Sequence, residues 1–472
     1  MVTKCKVVAT LGPATSDREV MRNMILTGVN VFRINFSHSS HEVAGQNIRQ
    51  IRELNKELGS SVAILADLQG PKLRIGVVKE GVVVAPGDEL LMTTNETEGD
   101  GTKVFMTYQR FPQDVKAGER ILLDDGKLVF ETIETNGDDE VRVKVIQGGP
   151  LKSKKGVNLP NTKISLPCLT EKDIADLHYA LDQEVEWVAI SFVRKAEDVI
   201  ELKEIIESRG SHAKVISKIE KPGAVADINQ IIKATDALMV ARGDLGVEIP
   251  MQGVPLIQKM ITQKARAQSK PVIIATQMME SMIDGLTPTR AEVNDVANSV
   301  LDGADAMMLS GETSVGKYPV QVIENMKKII AHVEESGQIA REDYPPYDQS
   351  DERYVSDSIC FNASQIADQI GAKAILTNTH SGYTAFKISS HRPRTNIFIF
   401  TQNRTILNTL SLLWGVQGFY YDEYHSTDET FQDIKDIVVK KGLARKGDYL
   451  IKIASMPIED RGMTNMLKIS SV

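Results

Sequence analysis

The sequence predicts an α/β chain: a (β/α)8 TIM barrel with an inserted small antiparallel β-barrel lid domain, and a C-terminal α/β domain. Three observations predict it. Eight short β-branched runs recur over the first 330 residues, each ending in a polar cluster, with amphipathic helical stretches between them. That rhythm stops between about 70 and 165, where short alternating runs are parted by Pro86-Gly87, Asp125-Gly126 and Asn136-Gly137. Beyond DYPPYDQS (343–350) come five more strand-like runs, most of them separated by helices.

The eight runs are KVVATLG (6–12), VFRINFSH (31–38), VAILADLQG (62–70), WVAISFV (187–193), KVISKIE (214–220), ALMVARGD (237–244), VIIATQ (272–277) and AMMLSGE (306–312). Near-continuous apolar strands alternating with helices indicate a parallel sheet covered on both faces. Eight such units close a barrel. An open doubly wound sheet is the alternative, and it is disfavoured without a Gly-rich dinucleotide turn. The barrel is expected over 1–69 and 166–345, the lid over 70–165 and a regulatory domain over 346–472. Both lid connections would be hinges, so the insert can close over the barrel mouth.

Composition narrows the function. A net charge of −8 argues against non-specific nucleic-acid binding. No apolar run is long enough to span a bilayer, so no membrane role is expected. Cys5, Cys168 and Cys360 show neither metal-ligand spacing nor a disulfide framework, which suits a reducing cytoplasm. The chain opens directly into CKVVATLG, without a charged-then-apolar leader.

Functional groups of such barrels gather at the carboxyl ends of the strands. The second run ends in Arg33, Asn35, Ser37 and His38, and the third in Asp67. The fourth offers Ser191, the fifth Lys218 and Glu220, the sixth Arg242-Gly243-Asp244. The seventh ends in Thr276-Gln277 and the eighth in Ser310-Gly311-Glu312. Each alone reads as a solvated loop residue; nearly every strand ending this way, with the tips converging on one mouth, reads as a site.

Glu220 and Asp244 are hard oxygen donors suited to Mg²⁺ or Mn²⁺. No His/Cys cluster suggests zinc. Arg33 and Lys218 add fixed positive charge, which suits an anion carrying phosphate and carboxylate. Gly243 lets its backbone amide approach a ligand. This kit serves phosphoryl transfer, but residue types alone leave kinase, lyase and mutase open.

The motifs RINFSH, ISKIE, MVARGDLGVEIP, ATQMMESM, PTRAEVNDVAN and LSGET…GKYP resemble those of the pyruvate kinase family, over essentially the whole chain. The resemblance implies transfer of the phosphoryl group of phosphoenolpyruvate to ADP, giving pyruvate and ATP, by a cytoplasmic homotetramer. It implies Mg²⁺ or Mn²⁺ on Glu220 and Asp244, and Lys218 at the transferring phosphoryl and the enolate. Arg33 would hold the phosphate, with Ser191, Gly243, Asp244 and Thr276 around the substrate. Thr276, Ser310 and Glu312 resemble the network implicated in protonating the enolate. Asn35, His38, Arg74 and Lys155 match nucleotide contacts. Two other readings stand beside it: a metal-dependent enolpyruvate aldolase or lyase, and a catalytically silent metabolite-binding homologue.

Many members hold K⁺ with residues matching Asn35, Ser37, Asp67 and the backbone at Leu68, and read DTKGPEIR at the third strand. This chain reads DLQGPKLR (67–74), so the resemblance points to the bacterial-type branch that works without K⁺, with the Lys72 ammonium supplying that charge. In TNTHSGYTAFKISSHRP, the resemblance assigns Thr377, Thr379, Ser381, Gly382 and Thr384 to a phosphorylated effector. Glu459 and Asp460 would repel phosphate unless Arg461 offsets them. Trp414 reads as core.

Overall fold

A computed structural model describes residues 3–339, 342–423, 426–456 and 462–472. Eight parallel strands close a barrel: β1 (Lys6–Thr10), β2 (Val31–Asn35), β3 (Ala63–Asp67), β4 (Trp187–Ile190), β5 (Lys214–Ile219), β6 (Ala237–Ala241), β7 (Val272–Ala275) and β8 (Ala306–Leu309). Each strand pairs with its chain neighbours, and β1 pairs with β8, Lys6 opposite Ala306. The apolar runs lack alternation because both faces are buried: the barrel lumen on one side, the helices on the other.

Side chains fill the lumen. Val8, Val31, Leu65, Trp187, Ile216, Met239, Ile273 and Met308 pack there, joined by Leu412 of the third domain. Four of the outer helices start on side-chain caps: Asp17, Ser40, Thr170 and Thr289 each accept a hydrogen bond from a first-turn amide.

The insert forms a six-stranded sheet ordered 157–158, 120–123, 128–135, 140–147, 89–93 and 103–105. Arg74 bridges Gly156 beside one edge strand and Ile75 bridges Met106 beside the other. Residues 74–75 thus lie between the two edges and pair with both. The pairing is antiparallel except between 89–93 and 103–105, which run parallel. The residues between them, 94–102, form a loop too long for a tight turn and return the chain in the same direction.

The third domain is a five-stranded sheet ordered β11-β10-β9-β12-β13, formed by β9 (Ala374–Asn378), β10 (Asn396–Thr401), β11 (Val416–Tyr420), β12 (Tyr449–Ala454) and β13 (Met466–Ser471). Only β13 is antiparallel within it. This domain packs on the floor of the barrel, where Arg392 pairs with Asp305 at 2.8 Å and Trp187 Nε1 donates to Thr409 O at 3.2 Å. Trp414 is buried there between Lys4 and Arg392, as core.

Candidate active site

The tip of β3 is the electrostatic centre of the mouth. Asp67 is buried; its Oδ2 accepts from Arg33 Nε at 2.6 Å and its Oδ1 lies 3.4 Å from Lys218 Nζ. Burial alone would raise the Asp67 pKa, but the Lys218 and Arg33 charges hold it below the usual value. Arg33 also donates from Nη1 to Thr10 Oγ1 at 3.0 Å, so two of its nitrogens are fixed by the barrel.

Lys218 sits at the end of β5. Its Nζ donates to Ser191 Oγ at 2.7 Å and lies 3.0 Å from Glu220 Oε1. Ser191 in turn donates to Leu68 O at 2.8 Å, so its hydroxyl is oriented from both sides. Burial would lower the Lys218 pKa, but Asp67 and Glu220 outweigh it and raise it above the ordinary lysine value. The ammonium is therefore a permanent cation with three anchors.

Glu220 is 1% exposed, and its Oε2 accepts from the Phe192 amide at 2.8 Å. Phe192 adopts φ +58 to present that amide. Asp244 opens onto the cleft beside Lys72, Asp125 and Lys221 while protein atoms crowd its other sides. Crowding first, and then the Glu220 charge, push its pKa up to about 6. Two hard carboxylates, with the Glu220 charge raising the proton affinity of Asp244, are a donor set that a divalent cation relieves, so the residues fit Mg²⁺ or Mn²⁺. Among the described residues no group of three or more His, Cys, Asp or Glu is placed to hold a metal, so such an ion would complete its shell from substrate and water.

Gly243 has a packing role besides the expected access for a ligand. The space its Cβ would take is filled by Thr276, whose Cγ2 would be 2.6 Å away. Thr276 and Gln277 both have positive φ, +78 and +56. Arg242 Nη2 donates to Thr276 O at 3.0 Å, and Arg242 binds Asp295 through Nη1 and Nη2, each at 2.6 Å. Glu312 is buried; it accepts from the Met279 amide at 3.1 Å and the Ser310 amide at 2.7 Å, so it ties the β7 and β8 tips together.

The nucleotide-matched residues form two pairs. On the barrel, Asn35 O accepts from the His38 amide at 3.0 Å, and Asn35 Oδ1 accepts from the Ser37 amide at 3.1 Å. On the lid, Arg74 Nη1 donates to Lys154 O at 2.9 Å, and Lys155 Nζ pairs with Asp124 at 2.9 Å. Among the described residues no hydrogen bond or ion pair joins the two pairs. Lys72 is exposed, and its charge acts on Asp244. At the third-domain loop, Thr379 Oγ1 accepts from the Gly382 amide at 3.0 Å and Ser381 Oγ from the Tyr383 amide at 3.4 Å. Thr384 shares a 3.1 Å hydrogen bond with Thr464, and Thr377 is fully buried. Glu459, Asp460 and Arg461 lie outside the described residues.

Sequence reasoning passed over four groups: Phe192, Asp295, Arg194 and Asp173. Arg194 donates to Ile164 O at 2.7 Å and Leu166 O at 2.8 Å, gripping the lid's return hinge. Asp173 Oδ1 accepts from the Gly70 amide at 3.0 Å at the outgoing hinge. Gly70 was the available signal: its φ is +71, and a Cβ there would stand 2.7 Å from the Phe192 ring.

The lid, the charged mouth and the third domain define a class: three-domain barrel enzymes that act on small anions beneath a cover. Residues 2–323 match the family model "Pyruvate kinase, barrel domain", and residues 357–470 match "Pyruvate kinase, alpha/beta domain". A pyruvate kinase of Corynebacterium efficiens is 41% identical over 99% of this chain and 98% of its own length. A pyruvate kinase of Geobacillus stearothermophilus is 40% identical over 99% of this chain and 80% of its own. The crystal structure of a pyruvate kinase from Cryptosporidium parvum superposes with a TM-score of 0.92 at 32% identity, covering 99% of this chain and 96% of that one. The chain belongs to the pyruvate kinase family and is a phosphotransferase. Neither the aldolase or lyase reading nor the silent-homologue reading finds support in these comparisons. Among the described residues no helix is long and apolar enough to cross a membrane.

Proposed function

We propose that this chain transfers the phosphoryl group of phosphoenolpyruvate to ADP, yielding pyruvate and ATP, at the mouth around Lys218. One observation carries the reading: Lys218 is anchored by Asp67, Glu220 and Ser191 and stays protonated. A fixed cation of this kind stabilises charge that grows on the transferring phosphoryl oxygens and on the enolate left behind. Arg33, braced by Asp67 and Thr10, holds the substrate phosphate. Glu220 and Asp244 would hold Mg²⁺ or Mn²⁺, which neutralises phosphoryl charge when bound.

Thr276, with Ser310 and Glu312 behind it, forms the polar edge from which the enolate takes its proton. Ser191 and Gly243 shape the pocket. Asn35, His38, Arg74 and Lys155 bind ADP across the cleft between barrel and lid, and closing it excludes water as a competing acceptor. Lys72 adds the positive charge that makes K⁺ unnecessary, acting on the Asn35, Ser37, Asp67 and Leu68 corner and on Asp244. Thr377, Thr379, Ser381, Gly382 and Thr384 line an effector turn for a phosphorylated ligand. The assembly is the homotetramer that the resemblance implies. The setting is the cytoplasm.

A coupled assay with Mg²⁺ tests the reading, run with and without K⁺. ATP formation that needs both phosphoenolpyruvate and ADP supports it. No ATP from active-site-intact protein refutes it.

A further inference from the structure

Glu248 joins the lid to the barrel. It ends the short helix Arg242–Glu248, is 5% exposed, and its Oε1 accepts from Asn158 Nδ2 of the lid at 2.7 Å. The same oxygen pairs with Lys221 Nζ of the barrel, whose side chain is 12% exposed. Its second oxygen, Oε2, is buried without a hydrogen-bond partner. A buried carboxylate that is only half satisfied is costly unless its position matters.

The placement of the three residues is informative. Glu248 shares its helix with Asp244, and Lys221 directly follows Glu220. The Lys221–Glu248 pair therefore spans the same two strand ends, β5 and β6, as the carboxylates suited to a divalent ion. Asn158 adds the lid to that span. Lid residues Leu122, Asp125 and Gly126 also border the same cleft as Gly243, Asp244, Gly246 and Val247 of this helix.

We propose that Glu248 is a latch: Asn158 of the lid, when docked on Glu248 as here, and Lys221 together fix the spacing of Glu220 and Asp244, so docking of the lid tightens the metal site. This rests on the assignment of those two carboxylates to Mg²⁺ or Mn²⁺. Asn158, Lys221 and Glu248 are positioning residues, and none of them touches substrate. With the lid open, Glu248 loses its Asn158 bond and keeps Lys221 as its side-chain partner, while Arg242 still anchors the start of the helix to Asp295 and Thr276.

The test measures metal and lid separately. Mn²⁺ affinity is read by electron paramagnetic resonance on the full chain with phosphoenolpyruvate. Lid position is read as a spin-label distance between Asp138→Cys and Glu197→Cys, both exposed sites. Asn158→Ala is expected to weaken Mn²⁺ binding about tenfold, as loss of a group supporting metal ligands does, and to broaden the distance distribution. Asn158→Asp, which sets a carboxylate against Glu248, is expected to open the lid further. Mn²⁺ affinity within twofold of the unaltered chain overturns the latch, whether or not the lid distance moves. A chain that makes no ATP in the coupled assay refutes the phosphotransfer reading, while the Mn²⁺ titration still decides the latch.

Discussion

The methyl of Thr276 occupies the space that a side chain at residue 243 would need: a Cβ on Gly243 would stand 2.6 Å from Thr276 Cγ2. Glycine at the β6 tip is thus a steric partner of the β7 tip, and the pair sets the width of the mouth. Gly243→Ala forces Thr276 outward and is expected to raise the KM for phosphoenolpyruvate by about tenfold, since overpacking costs roughly 1–3 kcal/mol. Thr276→Ser removes the offending methyl. The double variant Gly243→Ala/Thr276→Ser is expected to recover substrate affinity relative to Gly243→Ala alone, as a double-mutant cycle would show. Additive losses would contradict the steric coupling.

Lys218 is held by three anchors and replaced by none of them. Lys218→Met is expected to lower kcat by roughly 10²–10³, about 2.7–4 kcal/mol, as for loss of one preorganised electrostatic contact. Phosphoenolpyruvate should still bind, because Arg33 and its braces remain. Steady-state kinetics with an equilibrium binding titration check both halves; near-normal turnover would refute the role.

The mouth was legible in the sequence because barrel strands deliver their last residues to one rim. Lys218 and Glu220 could be placed together from their spacing of two on a strand, and their 3.0 Å contact follows from that geometry. The lid was legible from its turns, although the parallel pairing of 89–93 with 103–105 was not, since alternation does not encode direction. Contacts far apart in sequence stayed hidden. Asn158 and Glu248 are 90 residues apart and Arg242 and Asp295 are 53 apart, and neither pair leaves a local pattern. Backbone strain at Phe192 and Thr276 was equally invisible, because neither residue type advertises a positive φ. The sequence suggests ligand access at Gly243, but the packing of Thr276 against it leaves no local pattern.

The raised pKa of Asp244, about 6, has a pH signature. Because the folded value lies above the ordinary aspartate value, the metal-free fold binds an extra proton between about pH 4 and 6. Its stability contribution is therefore lost as pH rises through that window, and the ionised carboxylate then waits for a cation. Mn²⁺ affinity is expected to fall about tenfold per pH unit below about 6, one proton competing with the metal. Asp244→Asn should weaken Mn²⁺ binding and flatten that dependence. A titration with no pH dependence between 5 and 7 would count against Asp244 as a ligand.

Lys72 stands in DLQGPKLR, the stretch whose resemblance points to K⁺ independence, and its charge reaches Asp244. Full activity is expected in potassium-free buffer, with Lys72→Ala losing activity there. Initial rates in tetramethylammonium and potassium salts at equal ionic strength check it. A large activation of the unaltered chain by K⁺ would contradict the substitution.

Anomalous diffraction from crystals grown with Mn²⁺ tests the central claim most directly: that separate strand ends gather one divalent ion and a fixed ammonium in one pocket. A single peak bridging Glu220 and Asp244, with Lys218 Nζ turned toward it, is the predicted result. A peak that leaves out either carboxylate, or a Lys218 amine pointing away from it, would contradict it.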